Sequence, residues 1–281
     1  MALGGSTNAA VHVIAMARRA GVALNLNDLD VMGRKVPVLA NLFPIGDRLM
    51  EDFYYAGGLP ALMNRITGHL SLGEMTITGK TVGENIASRV SLDDEVIRPL
   101  DLPVSAAGAL AVLKGNLAPE GAVIKPSAAT PKFLRHTGRA LVFDSPAEMI
   151  KRCNEQDLDC DENTVLVLRY AGPVGAPGMP EWGGLPIPKK LLKQGVRDMV
   201  RLSDARMSGT HYGSCILHIS PEAAVGGPLA LVRTGDRIAL DVEARTIELC
   251  VDESELARRR AGWIPPVRPF TRGYTRLYQD H

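Results

Sequence analysis

The sequence has almost no charge imbalance: 32 Lys and Arg stand against 31 Asp and Glu, for a net charge of +1. It also lacks a basic block. That excludes a nucleic-acid surface, because neutralising phosphates takes clustered Lys and Arg. No apolar run is long enough to span a bilayer, and no charged leader with a cleavage site marks a signal peptide. Cysteine is scarce: Cys153, Cys160, Cys215 and Cys250 form no CxxC and no Cys/His pair at metal-ligand spacing. This argues against a zinc or iron–sulfur site made by this chain alone, and scattered reduced cysteines fit the cytoplasm. The 6 histidines include no HxH or HxxxH, so no dedicated zinc site is visible. Thr78-Gly79-Lys80-Thr81 imitates the end of a phosphate-binding loop, but position 74, where that loop needs glycine, is Glu74.

What is present fits a globular protein. A chain of 281 residues makes one large or two ordinary domains. Ser6 or Thr7 caps a helix that runs to about Ala20 and stops at Gly21. That helix is apolar almost all round and is expected to be buried on most faces. Since it starts within a few residues of Met1, the chain reads as a piece of something longer. Helices are expected within residues 28–34 and 59–66, and a capping box formed by Thr81 and Glu84 opens another over 85–89. Residues 36–39 are a weak strand candidate.

Near Leu100 the composition shifts towards Pro, Gly and β-branched residues. Residues 122–125 and 140–143 are short apolar runs, 146–155 a helix, 164–170 a buried strand, and 215–219 another strand. Residues 189–194 suggest a helical turn. Residues 229–233, 237–242 and 246–251 read as a three-strand meander with turns at 234–236 and 243–245. A charged helix over 254–260 precedes an extended stretch at 264–269 and a polar tail over 272–281. Many short strands with turn signals suggest a barrel or a compact sheet domain.

Two polar loops carry the chemistry. The first, Gly175 to Gly184, is rich in Gly and Pro and holds one carboxylate, Glu181. Such a loop lets a ligand approach the main chain, and its carboxylate suits a hard cation such as Mg²⁺. An ordinary surface glutamate in a Pro/Gly turn reads equally well, and Trp182 beside it either walls a pocket or anchors a core. The second loop, Ser203-Asp204-Ala205-Arg206-Met207-Ser208-Gly209-Thr210, follows an apolar strand. A serine acts as nucleophile or base only if its proton has somewhere to go. His211 and His218 are near Ser208 in sequence, which by itself places neither beside it. Ser208 as a plain turn serine stays open, as does a pairing of Asp204 with Arg206. The hydrolase elbow GxSxG is absent, since Arg206 stands two residues before Ser208. Gly4-Gly5-Ser6-Thr7-Asn8 opens the first helix with small residues. Their free N–H groups suit a carboxylate, or are satisfied by simple capping.

Five motifs occur in one order: Gly4 to Asn8; Gly115 to Pro119 with Gly121 to Pro126; Gly178-Met179-Pro180-Glu181; Ser203 to Thr210; and Ser220 to Ala224. In this the chain resembles the C-terminal half of the dihydroxy-acid/sugar-acid dehydratase family, which includes dihydroxy-acid, phosphogluconate, arabinonate and xylonate dehydratases. The resemblance implies an α/β protein: residues 1–100 would end an N-terminal α/β domain, and residues 101–281 would form a β-barrel-like domain flanked by helices. It implies removal of water from a 2,3-dihydroxy acid to give a 2-keto-3-deoxy acid. In that chemistry a 2Fe–2S cluster acts as Lewis acid on the 3-hydroxyl, Mg²⁺ holds the carboxylate and 2-hydroxyl, and a serine alkoxide takes the C2 proton. Ser208 matches that serine, Glu181 a Mg²⁺ ligand, and Thr210, Ser6 and Asn8 substrate contacts. The family's cluster cysteines and remaining Mg²⁺ ligands match no part of this chain and are expected in the absent N-terminal half. The tail over 272–278 and the run 188–195 look closest to the sugar-acid members, so the substrate is expected to be an aldonate. A branched-chain dihydroxy acid is the alternative, and a non-catalytic remnant or binding module another. A cytoplasmic homo-oligomer is expected, without nucleic-acid or membrane partners.

Overall fold

The computed structural model describes residues 1–106, 108–176, 181–182, 185–207, 212–267 and 270–280, without the side chains of residues 181, 182, 278 and 279. Its first third is helical: α1 (Thr7–Arg19), α2 (Leu26–Lys35), α3 (Met50–Tyr55), α4 (Gly58–Arg65) and α5 (Val82–Ile86). Asn25 and Asp28 form a reciprocal capping box that starts α2 slightly earlier than the sequence suggests. The Thr81–Glu84 box opens α5 as expected. Ser6 stands at the N-cap of α1, but its hydroxyl makes no capping bond. The weak strand is reduced to isolated bridges, Val38 to Ser105 and Ala40 to Ile97. Leu39, Phe53, Leu62 and Ile97 form the core of this part.

The first helix departs from expectation. Only Thr7 and Ala10 of α1 are buried, and Met16 is 62% exposed. Apolar periodicity tells how much cover a helix requires, not where the cover comes from, and the described residues leave most of α1 open.

The strands form a closed eight-stranded barrel. They are β1 (Ala111–Gly115), β2 (Ala118–Ile124), β3 (Arg135–Phe143), β4 (Val165–Leu168), β6 (Arg201–Ser203), β8 (Cys215–Ser220), β9 (Arg237–Asp241) and β10 (Thr246–Leu249). A separate pair, β5 (Glu181–Trp182) and β7 (Arg206–Met207), lies outside the barrel. The order round the barrel is β1-β10-β9-β3-β4-β6-β8-β2, and β3, β4, β6 and β8 run parallel to one another. Alternation along β4 sends Val165 and Val167 into the barrel core with Leu113, Ile124 and Phe133. It sends Leu166 and Leu168 outward, onto Met149 of α6 (Pro146–Arg152) and Leu191 of α7 (Lys189–Lys193).

Two expected elements change identity. Residues 228–231 are a 3₁₀ helix rather than a strand. Pro228 at its start removes a ladder donor, and Arg169 Nη1 donates to the carbonyls of Ala230 (2.6 Å) and Val232 (3.0 Å). The expected polar tail contains a helix, α9 (Gly273–Asp280), which follows α8 (Glu253–Ala261). Among the described residues, no helix is long and apolar enough to cross a membrane.

The helical part grips the barrel through α2. Asp30 Oδ1 accepts from Arg245 Nε at 2.7 Å and from the Val112 N–H at 3.0 Å. Gly33 passes so close to the barrel that a Cβ there would stand 2.3 Å from the Leu110 carbonyl oxygen.

Candidate active site

Because β4, β6 and β8 are parallel neighbours, the segments leaving them emerge at one end of the barrel. These segments hold residues 169–176, 204–207 and 221–225. Each is short, and buried carboxylates fix it by accepting its backbone N–H groups. Asp204, 2% exposed, accepts from the Ala171 N–H at 3.0 Å and the Ala223 N–H at 2.9 Å. One carboxylate thereby ties all three segments together. Glu222 Oε1 accepts from the N–H groups of Val174 at 3.0 Å and Gly175 at 2.8 Å, fixing the chain that leads towards Glu181. Asp204 therefore serves the backbone, where the sequence left a pairing with Arg206 open. Tyr170, at φ 63, makes the turn out of β4.

Electrostatics follow from burial. Desolvation pushes the Asp204 carboxyl up to about 6; the Glu222 charge adds to this and the backbone N–H groups oppose it. His218, on β8, is driven down to about 4, first by burial and then by the charge of Arg206, with the Thr7 backbone acting the other way. At neutral pH the site therefore holds a carboxylate and an uncharged imidazole.

The site motifs converge as follows. In the parallel pair β5–β7, Glu181 is in register with Arg206, and Trp182 with Met207. Asn8 Nδ2, in the first turn of α1, donates to the Met207 carbonyl at 3.2 Å. The backbone of residue 181, the start of α1 and the chain leading to residue 208 thus meet at one place. Ser208 and Thr210 lie outside the described residues, as does the Glu181 side chain. Ser6 directly precedes α1, a helix long enough to present a positive N-terminal end. Alongside runs a cleft of about 950 Å³ between α1 and the barrel end, with Val11 and Ile14 on one wall and Asp204, His218 and Glu222 on the other.

The described residues do not make up a metal centre: no group of three His, Cys, Asp or Glu among them is placed to hold an ion. Cys153, Cys160 and Cys215 are buried and Cys250 exposed. Burial pushes the Cys153 thiol up to about 12 and raises Cys160 and Cys215 as well. Protonated, buried thiols are poor cluster ligands, so these residues do not fit an iron–sulfur cluster. The Asp204 and Glu222 oxygens accept from backbone N–H groups.

Sequence reasoning missed Asp204, Glu222 and His218 as site-building residues. The available signal was positional: each carboxylate follows a run of apolar strand residues by one or two places, where a buried acid demands an explanation.

Comparison with known proteins gives these positions a family. Residues 1–85 match the model "Dihydroxy-acid/6-phosphogluconate dehydratase N-terminal", and residues 95–281 match "Dihydroxy-acid/6-phosphogluconate dehydratase C-terminal". The chain is 56% identical over its full length to a 6-deoxy-6-sulfo-D-gluconate dehydratase of Pseudomonas putida, covering 49% of that protein. It is 49% identical, again over its full length, to an L-arabinonate dehydratase of Rhizobium leguminosarum bv. trifolii, covering 49% of it. Over 99% of its length it is 45% identical to a dihydroxy-acid dehydratase of Ignicoccus hospitalis, of which it covers 50%. The chain thus spans about half the length of these relatives. With both family models matched, over residues 1–85 and 95–281, the chain belongs to the dihydroxy-acid/6-phosphogluconate dehydratase family.

Proposed function

We propose that this chain supplies part of the active site of a hydro-lyase acting on a 2,3-dihydroxy acid, an aldonate in particular. The observation that carries this is the register of β5 on β7, which sets Glu181 beside Arg206, with Asn8 bonded to the next residue, Met207. Three motifs far apart in sequence thereby share one place. A sugar acid is preferred because the relatives at 56% and 49% identity are named for sugar acids, whereas the one named a dihydroxy-acid dehydratase stands at 45%.

In this reading Ser208 takes the proton from C2 of the substrate. The electron pair of the broken C2–H bond forms the C2=C3 double bond as the 3-hydroxyl leaves. The resulting enol tautomerises to the 2-keto-3-deoxy acid. A serine is a poor base at its ordinary pKa and needs an electropositive surrounding to act. Glu181 offers a hard cation one carboxylate, and one is too few for tight Mg²⁺ binding, so further ligands must come from other groups. The 2Fe–2S cluster of the proposal likewise requires cysteines other than the buried ones described. The N-terminal end of α1, positive by its helix dipole, with the Ser6 hydroxyl beside it, suits the substrate carboxylate, and Thr210 is assigned to substrate contact. Cytoplasmic location and homo-oligomeric assembly complete the proposal.

The test joins this chain to the N-terminal half of the L-arabinonate dehydratase, loads the hybrid with cluster and Mg²⁺, and measures 2-keto-3-deoxy acid formation. L-Arabinonate is expected to turn over. No turnover of any aldonate or branched-chain dihydroxy acid by a loaded hybrid sinks the assignment.

A further inference from the structure

The two segments that carry Glu181 and Ser208 rejoin the barrel at one side chain. Leu185 stands four residues after Glu181, and Tyr212 four residues after Ser208. Arg201 opens β6, and β8 begins beside it, with Arg201 paired to Cys215. From there Arg201 Nη1 donates to the Leu185 carbonyl at 3.0 Å and Nη2 to the Tyr212 carbonyl at 3.1 Å. A single guanidinium thus fastens both segments at the same interval from the two candidate site residues.

The arrangement is unfavourable as a source of stability. The Arg201 side chain is 6% exposed and that of its counter-ion Asp198 only 3%. A buried ion pair offsets its desolvation only when its geometry is very good. Here the ionic contact is long, 3.4 Å from Arg201 Nη2 to Asp198 Oδ1. Asp198 instead accepts from the N–H groups of Thr130 at 3.0 Å, Met199 at 2.8 Å and Ser214 at 2.8 Å, and from the Ser214 hydroxyl at 2.7 Å. Arg201 Nε donates to the Met199 carbonyl at 3.3 Å, so every guanidinium nitrogen holds a carbonyl. Gly213 makes room for the pair: at φ 122, a Cβ there would collide with both Arg201 Nη2 and Asp198 Oδ1.

Apolar side chains of similar volume would fasten either segment at no loss of stability. They would not relate one segment to the other. The guanidinium is a rigid planar fork, so the Leu185 and Tyr212 carbonyls are held at a set separation and angle. At the opposite end of β6, Asp204 ties residues 171 and 223. The strand therefore carries a buried anchor at each end, and the Glu181 and Ser208 segments run between them.

We propose that Arg201, seated by Asp198, is a positioning residue of this site that sets the Glu181 and Ser208 segments in one frame. The roles of Glu181 and Ser208 rest on the dehydratase reading above; the anchoring does not.

Arg201→Lys keeps the charge and replaces the fork with one ammonium. On this chain, hydrogen exchange followed by mass spectrometry should speed up together in the peptides that begin at Leu185 and at Tyr212, with β3 and β9 unchanged. In the loaded hybrid the same variant should lower kcat by about 10- to 100-fold and weaken Mg²⁺ binding by about 10-fold in calorimetry, as the loss of an outer positioning group does. Combined with Glu181→Gln, it should weaken Mg²⁺ no further, because it acts through that carboxylate. Gly213→Ala, which leaves both charges in place and displaces the fork, should reproduce the paired change in exchange and the weaker Mg²⁺ binding. It also decides the matter if Arg201→Lys does not fold. A merely structural arginine would lower the unfolding midpoint while kcat and Mg²⁺ affinity of the folded molecules stay as in wild type. That pattern, or faster exchange in only one of the two peptides, overturns the proposal. If the wild-type hybrid turns over no acid, or Glu181→Gln leaves Mg²⁺ binding intact, the dehydratase reading fails instead, and the exchange data still decide the anchoring.

Discussion

Asp204 lends itself to a quantitative test. It is 2% exposed, and burial lifts its carboxyl from the ordinary 3.8 to about 6. Between those values the folded protein keeps a proton that the unfolded chain releases. Stability contributed at this position therefore falls as pH rises through the window, and levels off above the folded value. The difference corresponds to about 3 kcal/mol, without a discount for solvent because the group is buried. Asp204→Asn cannot ionise, so it lacks this slope. From about pH 4 to about pH 7, urea unfolding should show the wild-type chain losing about 3 kcal/mol relative to the variant. The amide cannot reproduce two acceptor oxygens, however. One of the N–H groups of Ala171 and Ala223 then loses its partner. The variant should be relatively more stable at neutral pH yet less active in the loaded hybrid, the pattern of a group kept for site geometry at a cost in stability. Parallel stability curves, or a wild type that gains on the variant as pH rises, would refute the reasoning.

Other outcomes follow from the same geometry. Glu222→Gln should stay within about 1 kcal/mol of wild type, since Oε1 alone already meets both Val174 and Gly175; Glu222→Ala should lose about 2–4 kcal/mol by chemical denaturation. Gly33→Ala should destabilise by about 1–3 kcal/mol, because its Cβ would stand 2.3 Å from the Leu110 carbonyl oxygen and force α2 off the barrel. In the loaded hybrid, Ser208→Ala should lower kcat by about 10²- to 10⁴-fold with the fold intact by circular dichroism, while Glu181→Gln should also weaken Mg²⁺ binding by calorimetry. Size-exclusion light scattering should find this chain associating through exposed apolar residues of its helices, Met16 at 62% and Tyr54 at 74% among them; a clean monomer would count against that.

Local signals in the sequence were legible where they were self-contained. The Thr81–Glu84 box and the hairpin of β9 and β10 depend on neighbours a few residues away, and both are present. The alternation of β4 shows a strand buried on both faces. The stretch 229–233 has strand composition, yet Pro228 and the distant Arg169 settle it as a 3₁₀ turn. Ser208 and Glu181 drew attention through their loops, but nothing local revealed that residue 181 pairs with residue 206. Asp204 and Glu222 act across the gaps between strands, so their roles appear only once β4, β6 and β8 stand side by side.

The seam that closes the barrel has a consequence for how the chain is made. Its last junction, β1 on β10, is secured by Asn116 N–H donating to Glu248 Oε2 across 132 residues. A ribosome emitting this chain releases β1 and β2 long before their final neighbour exists. Until residue 249 has emerged, β1 keeps an unpaired edge and the interior stays open to water. Contacts of such separation come late and slowly. Birth of this protein is therefore a race between barrel closure and the company its open edge attracts, and a chain cut short before β10 is left with no way to win it.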